Sequence, residues 1–193
     1  MTYKLEGERL TFSTSVLALH TDADLANITS NLNGSGLSDN NTTGFGYLCG
    51  GYYSGRLDIG RRLTFSTSVL ALHTDADLSI VNQSPIPISD IANFGYYCGG
   101  QSGGGLLLTT DRMTFSTSVN AAHTDSNLSK VWADSCGTGD GTFGYYAGGW
   151  TGSWAAEAAK MTFSTGVWAA STDAIIRSET VKGAHSAMAD GNA

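Results

Sequence analysis

The sequence is poor in basic residues and contains only two prolines among 193 residues. Its ten lysines and arginines are scattered, and Arg61–Arg62 is the one adjacent pair. A nucleic-acid partner is therefore not expected, because binding it requires a clustered basic face. No apolar run approaches the roughly 20 residues of a membrane-spanning helix, so no membrane span is expected either.

Cysteine is also scarce, with three residues at positions 49, 98 and 136. The first ten residues lack the apolar segment of a secretory signal peptide. We therefore expect synthesis in a cytoplasm, where disulfides are rare. Cys49 and Cys98 occupy the same position of a repeat and Cys136 another, and all three are interpreted as small buried apolar residues.

The sequence does contain four similar copies of one seventeen-residue segment, which we call the repeated phrase. The copies are RLTFSTSVLALHTDADL at Arg9–Leu25 and again at Arg62–Leu78, RMTFSTSVNAAHTDSNL at Arg112–Leu128, and KMTFSTGVWAASTDAII at Lys160–Ile176. A second phrase recurs between them, as FGYLCGG from Phe45, FGYYCGG from Phe94 and FGYYAGG from Phe143. A period near fifty residues indicates a repeat array.

Each period contains four short segments rich in Thr, Val, Phe and Tyr, bounded by Gly, Asn, Asp and Ser, which predicts β-strands. No sustained 3.6-residue apolar stripe occurs, so few helices are expected. The segment Trp154–Lys160 has helical propensity, but for one or two turns at most. Four strands in about fifty residues are the size of one β-propeller blade, so the predicted fold is all-β.

The arrangement resembles the kelch repeat over nearly the whole chain. In that repeat an inner strand is followed by an apolar strand ending in Gly-Gly, here Gly50–Gly51, Gly99–Gly100 and Gly148–Gly149. A third strand carrying an aromatic and an outer strand complete the blade. The kelch repeat has a tryptophan after its third strand. Val69 and Asn120 stand near that position in two of the units here, and only Trp168 is aromatic. The sequence of these repeats is closer to that of the degenerate kelch-like repeats of bacteriophage and bacterial surface proteins.

The repeats predict a single propeller domain over residues 1–193, with units at about 1–36, 37–87, 88–131 and 132–183 and a closing strand at 184–193. The third-strand phrase occurs four times and the Gly-Gly phrase three times. The last of four blades should therefore join Ala184–Ala193 to the N-terminal strands, with Thr2–Gly7 as its second strand. Alternatively, the same edges pair between two copies in a larger ring.

Four phenylalanines hold the same place in the repeated phrase and are expected to be largely buried between blades as the structural core. They are Phe12, Phe65, Phe115 and Phe163.

No constellation predicts catalysis, a metal site or a cofactor. His20, His73 and His123 are equivalent positions of successive units, so they should not converge on one ion. The aspartates of the same phrase are interpreted as turn formers. The copper site of some kelch-type oxidases needs a cluster of Tyr, His and Cys that this sequence does not suggest. We therefore expect a protein that is not an enzyme.

Binding is expected where the repeats differ, in the loops between second and third strands and between fourth and first strands. Tyr52, Tyr53, Trp150 and Trp154 lie there and are the candidate binding residues, although two or three of them could instead pack between blades.

The resemblance implies a virion component of the tail, fibre or capsid surface, which binds other virion or surface proteins or a host glycan. A virion location is therefore expected, otherwise a cytoplasmic one, and a homo-oligomer is left open. The alternative is a carbohydrate-binding lectin, whose sites should repeat in every blade.

Overall fold

The computed structural model describes the backbone of Glu8–Thr11 and Val16–Leu19 and, in full, residues 34–39 and 43–171. Within these ranges the regular structure is β-strand apart from two three-residue 3-10 turns, Thr74–Ala76 and Thr124–Ser126. The prediction of an all-β fold is therefore confirmed. In the same ranges no helix has the length and apolar character needed to cross a membrane.

Three four-stranded antiparallel sheets follow one another along the chain, each with its strands paired in sequence order. The first sheet consists of β3 (Ser35–Ser38), β4 (Phe45–Cys49), β5 (Gly60–Thr64) and β6 (Val69–Leu72). The second consists of β7 (Ile86–Ser89), β8 (Phe94–Cys98), β11 (Thr110–Thr114) and β12 (Val119–Ala122). The third consists of β13 (Cys136–Gly139), β14 (Phe143–Trp150), β15 (Trp154–Thr162) and β16 (Val167–Ala170).

Two further hairpins complete the described strands. The pair β9 (Gln101–Ser102) and β10 (Gly105–Leu106) lies in the loop between the second and third strands of the second sheet. The pair β1 (Glu8–Thr11) and β2 (Val16–Leu19) has the register of a third and fourth strand, because Arg9 is opposite Ala18 as Arg62 is opposite Ala71. The N-terminal hairpin is thus half of another unit.

The three sheets are stacked face to face in one direction. We call upstream the face of each sheet that carries Phe65, Phe115 or Phe163, and downstream the opposite face. The upstream Phe115 of the second sheet is stacked with the downstream Tyr47 of the first, with ring centroids 6.0 Å apart. Phe163 and Tyr96 repeat this contact between the third and second sheets at 5.6 Å.

Each interface has its own buried cluster. Between the first two sheets the cluster includes Leu37, Tyr47, Cys49, Tyr97, Met113 and Phe115, and between the last two it includes Ile86, Ile88, Tyr96, Cys98, Tyr146 and Met161. Strand alternation explains the pattern, because successive side chains point to opposite faces, so Tyr96 and Cys98 of β8 join one cluster and Tyr97 joins the other. Glycine allows the first strands to approach, since a Cβ on Gly137 or Gly139 would overlap the backbone of Pro87 or Ser89.

The phenylalanines of the repeat are not all equally buried. Phe115 is 1% exposed, and Phe163 is partly buried against the cluster of the last two sheets. Phe65 is 40% exposed, and no described sheet covers its upstream face, so its burial between blades stays a prediction. Phe12, Thr2–Gly7 and Ala184–Ala193 lie outside the described residues.

Two other expectations need correction. The segment with helical propensity is strand β15, because its residues pair with β14 on one side and β16 on the other. Tertiary pairing here overrides a weak local preference. The loop predicted between the fourth and first strands at residues 78–90 contains both prolines, and the structure places strand β7 in it. Pro87 is tolerated there because β7 is an edge strand.

Candidate recognition site

The variable loops leave every sheet at the same end, which we call the loop end. In the first sheet Cys49 is opposite Gly60 and Arg61 is opposite Leu72, so the loop between strands two and three begins where strand four ends. The second sheet repeats this register, with Cys98 opposite Thr110. The connector from one sheet to the next therefore runs beside these loops.

The Gly-Gly pair fixes that connector to the sheet. The backbone N–H of Gly51 donates to the Asn82 carbonyl at 2.8 Å, and that of Gly100 donates to the Trp132 carbonyl at 2.6 Å. A Cβ on Gly50 or Gly99 would lie closer than 3.0 Å to the same two carbonyl oxygens. The glycines thus let the connector backbone lie against the strand end, at positive φ.

Trp150 and Trp154 form one aromatic pair at the tip of the β14–β15 hairpin. They are opposite each other across the turn, and their ring centroids are 5.3 Å apart at an interplanar angle of 70°. Trp150 is partly buried, and its backbone exchanges two hydrogen bonds with Ala133 of the connector. Trp154 is 41% exposed, so its ring offers an apolar surface that is held in place by its partner.

Tyr52 and Tyr53 lie in the corresponding loop of the first sheet. Both side chains are exposed, and the loop is closed by a bridge between Tyr52 and Arg56 and by a 2.7 Å bond from the Tyr53 N–H to the Gly55 carbonyl. Counting from the glycine pair, Tyr52 occupies the position of Trp150 in the third sheet and Gln101 in the second. The structure thus pairs the two tryptophans, and it places the two tyrosines two sheets away from them.

Sequence reasoning missed three further exposed apolar residues at the loop end. Ile80 and Val81 belong to the first connector, and Leu108 to the loop of the second sheet. The signal that could have found them is the divergence of the repeats, because the residue equivalent to Ile80 in the second connector is Lys130. Lys130 forms an exposed 3.0 Å ion pair with Glu157 of the third sheet.

In the second sheet the repeated histidine makes hydrogen bonds that support the fold. The Arg112 guanidinium donates to Nε2 of His123 at 2.9 Å, and Nδ1 of His123 lies 2.9 Å from the Ser126 hydroxyl. Burial and the Arg112 charge lower the pKa of His123, which keeps the ring neutral. Asn127, which follows the 3-10 turn, accepts the N–H of Thr110, as Asp77 accepts that of Gly60. These bonds hold the start of the connector against the third strand.

The cysteines do not form a reactive site within the described residues. Burial raises the pKa of Cys49 and of Cys98 to about 12, and all three thiols are free. Cys49 donates to the Ala76 carbonyl at 3.3 Å. In residues 34–39 and 43–171 no group of three His, Cys, Asp or Glu side chains is arranged to hold a metal ion.

We predict that iodoacetamide at pH 8 modifies Cys136 in the native protein and leaves Cys49 and Cys98 unmodified. Their raised pKa keeps both buried thiols protonated until the pH approaches 12, and the thiolate is the reactive form. Cys136 is only partly buried. Peptide mass spectrometry measures the modification, and denaturant should make all three residues react. Native modification of Cys98 as fast as that of Cys136 would contradict the described packing.

No protein-family model matches this chain, and no curated protein matches it in sequence.

Proposed function

We propose that this chain is a non-enzymatic β-propeller with kelch-like repeats, which serves as a structural and recognition module of a bacteriophage virion. Its four blades would be the three stacked sheets and a blade built on the N-terminal hairpin, closed by Ala184–Ala193. Support comes from the one-way stacking of the sheets and from the shared register of β1–β2 and β5–β6. Closure also removes the exposed edges that an open array would keep.

The recognition part of the proposal depends on the Trp150–Trp154 pair. Large aromatic side chains near the centre of an interface often contribute most of the binding free energy. Trp154 is 41% exposed, and its ring lies against that of Trp150. Exposed Tyr52, Ile80 and Leu108 add apolar surface at the same end. The partner we propose is another virion protein or a host-surface glycan.

A lectin with one site per blade is less well supported by the same loops. The position of Trp150 is occupied by Tyr52 in the first sheet and by Gln101 in the second. Equivalent sugar sites would need the same aromatic and polar groups in each blade. A single binding region at the loop end is therefore the better interpretation.

We predict that replacing Trp150 and Trp154 together by alanine reduces incorporation of the protein into particles, or adsorption of those particles to the host, by about tenfold or more. Loss of one central aromatic anchor commonly weakens an interface by about 2 kcal/mol or more. The content of the protein in particles, the adsorption of the particles and the melting temperature of the protein are measured for each variant. The Trp150→Phe/Trp154→Phe variant is the control, because it keeps two aromatic rings.

The outcomes of this experiment separate the possible partners. Loss of incorporation with a normal melting temperature supports a virion-protein partner, and loss of adsorption alone, with binding to a glycan array, supports a host glycan. Normal incorporation and adsorption by a folded alanine variant would contradict recognition through this pair.

A further inference from the structure

Trp132, in the connector between the second and third sheets, is 1% exposed. Its indole packs against Tyr146 of the third sheet, with ring centroids 5.1 Å apart, and the Lys130 ammonium lies over its face at 5.2 Å. A buried indole N–H is costly to leave without an acceptor. The group that accepts from Trp132 therefore shows what this side chain holds in place.

The acceptor is the carbonyl of Gly148, two residues before Trp150. The next residue of the connector, Ala133, exchanges two backbone hydrogen bonds with Trp150, at 2.8 and 3.0 Å. Between these contacts Gly149 has φ of +117°, and a Cβ there would lie 2.7 Å from both the Trp132 indole nitrogen and the Ala133 carbonyl oxygen. Trp132 and Ala133 thus hold the backbone that leads into Trp150 by three hydrogen bonds.

The backbone of Trp132 is bonded to the second sheet at the same time. Its carbonyl accepts the Gly100 N–H at 2.6 Å, and its N–H donates to the Leu107 carbonyl at 3.4 Å. One residue therefore connects the loop of the second sheet to the hairpin tip of the third. This fixes the Trp150–Trp154 pair relative to the loop of the second sheet.

The first connector makes the same contact with a different side chain. Asn82 occupies the position equivalent to Trp132. Its side-chain nitrogen Nδ2 donates to the Gly99 carbonyl at 2.7 Å. Donation to the first glycine of the pair therefore recurs, which indicates that this bond serves the loop and not one core cluster alone. The loop that Asn82 holds starts at Gln101, whereas the loop that Trp132 holds starts at Trp150.

We propose that Trp132 is a positioning residue of the recognition site, which holds the Trp150–Trp154 pair in its binding orientation. Because it is 1% exposed, it acts through the pair and does not touch the partner. Preorganised groups bind more tightly, since less conformational entropy is lost on association. This inference rests on the proposed recognition by the tryptophan pair and adds the residue on which the orientation of that pair depends.

The test replaces the Trp132 indole by a ring that has no N–H, in Trp132→Phe. Loss of one buried hydrogen bond should make the Trp150 amide exchange its hydrogen about five- to tenfold faster relative to the Phe163 amide, because the bond to Ala133 opens locally. Phe163 is the internal standard, since its amide is bonded at the opposite end of the third sheet. Nuclear magnetic resonance of the full-length protein measures both rates, and the ring-to-ring Overhauser effect between Trp150 and Trp154 should weaken.

Trp168→Phe is the matched control. Trp168 packs against the same Tyr146 with ring centroids 5.1 Å apart, and its indole donates to the Ser126 carbonyl at 2.9 Å. This variant also loses one indole hydrogen bond and keeps a ring, so a purely structural role predicts the same effect of both variants on Trp150. We expect the Trp150 amide to change only in Trp132→Phe. Equal effects of the two variants, or no effect of Trp132→Phe, overturn the proposal.

The particle assays separate this inference from the proposed function. Trp132→Phe should reduce incorporation or adsorption by about threefold or more, whereas Trp168→Phe should not. Normal values for Trp132→Phe, with a loss in the Trp150→Ala/Trp154→Ala variant, would show that the pair acts without this positioning and would overturn the inference alone. Normal values for the folded alanine variant would overturn the proposed recognition, and the positioning with it.

Discussion

Replacing Gly99 with alanine is expected to lower the free energy of unfolding by about 3–5 kcal/mol. Gly99 has φ of +61°, where a non-glycine residue is strained, and its new Cβ would overlap the Trp132 carbonyl oxygen. If this carbonyl moves, the Gly100 N–H loses its acceptor in a buried environment. Strain and a broken buried hydrogen bond are each worth roughly 1–3 kcal/mol. Because the free energy of unfolding of a small domain is about 5–15 kcal/mol, the substitution would remove a large fraction of the stability.

Chemical denaturation measures this effect, and the chain provides a matched control. Gly103 lies in the neighbouring exposed turn, has no positive φ, and has no atom within 4 Å of its Cβ position. Gly103→Ala should leave stability unchanged or raise it by up to about 1 kcal/mol. Equal midpoints for Gly99→Ala and Gly103→Ala would show that the connector does not lie against the glycine pair.

Phe115→Ala is expected to lower the free energy of unfolding by about 3–5 kcal/mol, as is usual for a fully buried aromatic residue. Phe115 lies between the first and second sheets against Tyr47, and its ring also fills the space over Gly95. Its removal leaves a cavity that two rigid sheets cannot close. Thermal and urea unfolding, followed by circular dichroism, provide the measurement.

The control for Phe115 is an exposed apolar residue of the neighbouring sheet. Leu72→Ala should destabilise the protein by less than half as much, because its side chain is 65% exposed. A loss at Leu72 as large as that at Phe115 would contradict the described burial. A small loss at Phe115 would contradict the stacking of the sheets.

The local elements of this fold could be predicted from the sequence because the repeats align residues with equivalent roles. The pairing of FGYYC with TDRMT, for example, follows from two short strands separated by Gly-Gly and a turn-rich loop. Strand β15 could not be predicted in this way, since WAAEAAK favours a helix until β14 and β16 supply hydrogen-bond partners. Strand β7 could not be predicted either, because it contains Pro87, which is allowed there only because β7 is an edge strand.

The candidate site was predictable in part. Divergence between repeats located Tyr52, Tyr53, Trp150 and Trp154 at the variable loops, but not the contact between the two tryptophans. That contact depends on a short turn, Thr151–Ser153, which places Trp150 directly opposite Trp154. The exposure of Phe65 was unpredictable for a different reason. Equivalent sequence positions are equally buried only if every unit has a neighbour, and burial is a property of the neighbour rather than of the repeat.

One-way stacking has a consequence for how the gene can change. The two identical seventeen-residue segments begin at Arg9 and Arg62, 53 residues apart. Unequal recombination between them would remove or duplicate 53 codons in frame. The joined product would keep an intact hairpin phrase, and each remaining sheet would still present an upstream face to a downstream one. A single event of this kind therefore changes the number of units by one whole unit.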